Sequence, residues 1–85
     1  MQTGELVRLI KGSPLYEILP TTHGERTRHY MGFLVESGLG VEVWREPGVS
    51  RETDGGLQLW SQVLLGGRLV WTTTGMLYDM EGNKL

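Results

Sequence analysis

The segment LQLWSQVLLGGRLVWTTT, residues 57–74, decides how this sequence folds. Two β-rich runs flank Gly66-Gly67. Two residues between such runs make a tight primed turn, whose central positions need positive φ, and glycine adopts that without strain. The turn sets the register: Leu65 opposes Arg68, Leu64 opposes Leu69, Val63 opposes Val70, and Gln62 opposes Trp71. Side chains alternate along a strand. One face of the hairpin therefore carries Trp60, Leu64, Leu69 and Trp71, and the other carries Ser61, Val63, Val70 and Thr72, with Leu57 or its neighbours. Both faces are partly apolar. That predicts a structure in which one face lines the core and the other is covered by a long loop or a partner.

Working outward, GELVRLI (4–10) reads as a first strand with Val7 and Leu9 inward. LYEIL (15–19) is a short strand that Pro14 and Pro20 bound and confine to an edge. YMGFLVE (30–36) is another strand. GVEVWRE (40–46) alternates, with Val41 and Val43 on one side and Glu42, Trp44 and Glu46 on the other. SGLG between these two runs is a turn, or a kink in one long bent strand. Two polar stretches read as loops, PTTHGERTRH (20–29) and EPGVSRETDGG (46–56). TGMLYDM (74–80) predicts one tight helical turn and a short closing strand. No amphipathic helix, repeat or linker interrupts this pattern.

Composition agrees. The 85 residues allow one domain with one small core. Alanine is absent and glycine contributes 13 residues, which disfavours helices. The chain has no cysteine, so neither a disulfide nor a thiolate-held metal is expected, as suits a reducing cytoplasm. The first ten residues lack the basic and apolar pattern of a secretory signal. No apolar run approaches the length that spans a bilayer. A net charge of −2 does not suit non-specific binding to phosphate backbones.

Two stretches carry a family resemblance. GELVRLI resembles the opening strand of many SH3-like barrels. VLLGGRLVWTTTGMLYDME (63–81) resembles the closing segment of small SH3-like proteins encoded by tailed bacteriophages, cyanophages among them, with Trp71 and Leu77 six residues apart. The chain departs from that pattern in its long first loop, Lys11 to His29, and in having Gly66 where Asp is common. The resemblance implies an all-β, SH3-like barrel of five to seven short antiparallel strands, with a single tight helical turn near its end. It also implies a virion component or host-directed accessory protein, located in the host cytoplasm or the virion. MLYDM (76–80) resembles the ALYDY segment of eukaryotic SH3 domains. It lies at the wrong end of the chain, and the paired tryptophans are missing, so proline-peptide binding does not carry over.

The chemistry of the side chains points to binding. His23, Glu25 and His29 could offer two imidazoles and a carboxylate to zinc, but the spacing is not that of a helical pair and no fourth ligand follows. GLGVEV lacks the third glycine and the helix of a dinucleotide loop. Ser13, Ser37, Ser50 and Ser61 lie in no nucleophile motif. No catalytic residue, cofactor or metal is expected. The three tryptophans are the better lead, since exposed aromatics on a rigid sheet favour protein interfaces. The expected interface is Trp60, Leu64, Leu69 and Trp71, with Trp44 as a further candidate. Its partner is another protein or further copies of the chain. The alternative is a nucleic-acid site of Lys11, Arg26, Arg28 and His29 with nearby aromatics.

Overall fold

The computed structural model describes residues 1–20, 26–49 and 56–85, and the side chains of residues 19, 20, 26, 27 and 49 lie outside that description. The strands are β1 (Gln2–Leu9), β2 (Pro14–Pro20), β3 (Arg26–Phe33), β4 (Gly38–Val49), β5 (Leu57–Leu65), β6 (Arg68–Thr73) and β7 (Leu77–Tyr78). A 3-10 turn, Thr74–Met76, joins β6 to β7. All seven strands form one antiparallel sheet in the order β3-β2-β6-β5-β4-β1-β7. The sheet ends at β3 on one side and β7 on the other, and among the described residues these edges do not pair, so it is not a closed barrel.

The β5–β6 hairpin has the expected register, from Leu65↔Arg68 through Trp60↔Thr73. Gly66 and Gly67 have φ of 58° and 80°, as a type I′ turn requires. The helical turn and closing strand also fall where the sequence places them. Other boundaries differ. β3 begins at Arg26, inside the stretch read as a loop, and β4 runs to Val49, through the start of the second loop. The long first loop is therefore largely a hairpin, β2–β3. β2 is not at the edge: it pairs fully with β3, and at Tyr16 alone with Trp71 of β6. Its prolines sit at its two ends, where the missing N–H groups interrupt little of the ladder.

Val7, Leu9, Val63, Val70 and Leu77 form the core, with Leu15, Met31, Leu34, Leu65 and Leu85 packed against it. Gly40 lets β4 approach closely there, because a Cβ would lie 2.6 Å from Val63 Cγ1 and 2.8 Å from the Leu64 carbonyl oxygen.

A bulge at Val43 reorganises β4. Glu42 pairs with Val63 and Trp44 with Gln62, leaving Val43 as the extra residue. Before the bulge Leu39 and Val41 face away from the core, and after it Trp44 and Glu46 do. The simple alternation read from GVEVWRE fails for this reason. Glu42 turns inward and is 1% exposed. Arg45, three residues on, lands on the same face and donates from Nη2 (2.7 Å) and Nε (3.0 Å) to the Glu42 carboxylate. Ser61 Oγ also donates to Glu42, and lies 2.6 Å from Thr74 Oγ1. The Glu42 carboxylate raises the Arg45 pKa above its ordinary value through this hydrogen bond.

Candidate protein-interaction face

The outer side of the sheet, opposite the core, divides into two halves. In the first half Trp60 and Trp71 are each only 5% exposed. Tyr16 meets Trp60 edge to face at 5.1 Å between ring centroids, and meets Tyr30 at 5.6 Å. The Arg28 guanidinium carbon lies 4.5 Å from the Trp60 ring centroid and 4.9 Å from that of Trp71. Arg28 also forms an ion pair with Glu46 at 3.6 Å. A cation on indole faces, partly removed from water, is held by the ring quadrupole. Gly48 leaves room for this packing, since a Cβ there would come within 3 Å of both Trp60 and Arg28. The β2–β3 hairpin thus covers the two tryptophans from within the chain. Their expected role as contact residues on an open face is corrected: they form a second, aromatic packing layer.

Among the described residues nothing covers the second, bare half. Strand register aligns one residue from each of four strands in a row: Leu6 opposes Val41, Val41 opposes Leu64, and Leu64 opposes Leu69. Leu39 follows beside Val41, next to Arg8, and Trp44 stands on the other side. Leu6, Leu64 and Leu69 are 49%, 41% and 53% exposed, Leu39 is 53% and Trp44 is 41%. Of the five expected interface residues, the structure brings Trp44, Leu64 and Leu69 together on this bare half. It adds Leu6, Leu39 and Val41, which sequence reading misses because nothing local fixes how β4 pairs with β5 or β1 with β4.

The remaining candidates do not assemble into a site. His23 and Glu25 lie outside the described residues, and His29 is exposed on β3 opposite Glu17. Among the described residues no three His, Asp or Glu side chains come together as a metal-binding group. For the alternative nucleic-acid site, Arg28 is turned onto the two indoles, Lys11 is exposed in the turn before β2, and the Arg26 side chain lies outside the described residues. Ser61 and Glu42 are in contact but sealed from solvent at 0% and 1% exposure. No substrate reaches that pair as it stands. An open hollow lies beside β7, lined by Arg8, Ile10, Tyr78, Met80, Glu81 and Gly82, with a volume of about 430 Å³. Beyond it, Asp79 Oδ1 accepts the backbone N–H groups of Glu81 and Asn83, and the Asn83 N–H chiefly holds its pKa below the ordinary carboxylate value.

Compared with protein-family models, with curated proteins and with solved structures, the chain matches none. No helix among the described residues is long and apolar enough to cross a membrane.

Proposed function

We propose that this chain is a non-enzymatic protein-interaction module whose contact surface is the bare half of the sheet. The observation that carries the reading is the register-aligned row Leu6, Val41, Leu64 and Leu69 on a rigid four-stranded platform, its three leucines exposed and Val41 half-buried between them. Isolated surface leucines are ordinary, but a contiguous apolar patch rimmed by polar residues marks an interaction site. Trp44 beside the row supplies the kind of aromatic anchor that interfaces favour.

The order of connections supports an SH3-like arrangement: a first strand, a long hairpin excursion, a long strand, a tight hairpin, a 3-10 turn, and a short strand returning to the first. With the resemblance of residues 63–81 to phage proteins of that type, the module is a small virion component or a host-directed accessory protein of a tailed phage. The test is a pull-down from the native or infected host with the wild-type chain and with Leu69→Glu. Loss of the captured protein with Leu69→Glu, at unchanged circular dichroism, is the expected result. Equal capture by both chains rejects this surface.

A further inference from the structure

We infer that the occupant of the bare half is a second copy of the same chain, packed sheet against sheet about a two-fold axis. The inference rests on the reading of this face as an interaction surface and names its partner.

Area is the first argument. The exposed parts of Leu6, Leu39, Trp44, Leu64 and Leu69 come to roughly 450 Å², as large as the biggest apolar patch a monomer ordinarily shows. With the neighbouring Arg8, Gln62 and Tyr78, each copy offers about 600 Å², so that two copies bury about 1,200 Å², the lower bound for a specific interface. The chain's whole accessible surface is 5735 Å², and a standard interface takes about a tenth of a small protein's surface.

Self-complementarity is the second. The row reads Leu, Val, Leu, Leu across β1, β4, β5 and β6. An axis across the strands, along the row, sets each residue of the row over its own counterpart and sends the two hairpin-covered halves to opposite ends. Trp44 of one copy, on one side of the row, then stands over Leu39 of the other, which lies on the opposite side. Aligned sheets pack face to face with their strands within about 30° of each other.

Charge is the third. Arg8 is the charged residue beside the row, paired across the strands with Leu39 at the β1 end. The same axis sets the two Arg8 side chains on opposite sides of the row, about 14 Å apart along the strands. No like charges meet.

Sedimentation equilibrium from 1 μM to 1 mM tests this. Mass should rise with concentration to twice the 9.5 kDa of one chain, and raising the salt should not weaken association. Leu64→Glu and, separately, Leu39→Lys should each weaken association at least 100-fold. A half-labelled sample should show intermolecular contacts between the Trp44 ring and the Leu39 methyl groups, which are too far apart along β4 within one copy to give them. A monomer at 1 mM overturns the inference, as does a dimer that both variants leave intact or one without the Trp44–Leu39 contact. A monomer that still loses a captured protein with Leu69→Glu refutes the self-association alone and leaves the interaction module standing.

Discussion

Removing the Glu42 side chain should destabilise this protein more than any other change to a charged residue. Glu42→Ala deletes the acceptor of two charge-assisted bonds from Arg45 and one bond from Ser61. Hydrogen bonds to charged groups contribute about 1.5–3 kcal/mol each, and breaking a buried pair typically destabilises by about 3–5 kcal/mol. The Arg45 side chain, 23% exposed, regains some water, which moves the expectation to about 4 kcal/mol. A domain of this size has about 4–13 kcal/mol in total, so Glu42→Ala should lie near the limit of folding. Urea unfolding at pH 7, followed by tryptophan fluorescence, measures the loss. Glu42→Gln keeps a hydrogen-bonding group in place and should lose about half as much. In a double-mutant cycle, Glu42→Ala and Arg45→Ala should be coupled by about 2 kcal/mol. A loss below about 1 kcal/mol for Glu42→Ala, or strict additivity with Arg45→Ala, would refute the claim that this network holds β4 to β5.

Two further outcomes follow from the packing and the C-terminal turn. Trp60→Ala should lower stability by about 3–4 kcal/mol through the cavity it leaves; an unchanged urea midpoint would show that Trp60 is not part of a packing layer. Asp79 has a folded pKa below its unfolded value, so its contribution is present above the unfolded carboxylate value, near pH 4, and is lost as pH falls through the folded value. A carboxyl titration by NMR should find Asp79 below the ordinary range, and Asp79→Asn should flatten the acid limb of stability between those two values.

Legibility in the sequence tracked locality. The Gly66-Gly67 hairpin was readable because a two-residue turn dictates its own register, and that register set Leu64 against Leu69. The inward positions of Val7 and Leu9 came from alternation within one short strand. β3 begins in a stretch, Arg26, Thr27, Arg28 and His29, whose polarity is that of a loop. Arg28 owes its place to two tryptophans more than thirty residues away, which no local pattern reveals. The same distance hid the correct fate of Trp60 and Trp71. Sequence gave both faces of the hairpin as apolar, but only the fold of β2–β3 decides which part of the outer face is covered. Leu39 joins Leu64 through β4–β5 pairing and Leu6 through β1–β4 pairing, and neither pairing is dictated by a two-residue turn.

The extra residue at Val43 gives β4 a single place where its length can change. Deleting Val43 itself would close the bulge and leave Trp44 outward and Arg45 beside Glu42, because Glu42 and Trp44 already oppose consecutive residues of β5. A deletion further along, between Arg45 and Val49, would carry every later residue of β4 to the opposite face. Insertions and deletions should therefore be tolerated in the connections between strands and, within β4, at position 43 alone, and an alignment that places a one-residue gap elsewhere in β4 would mismatch the two faces of the sheet.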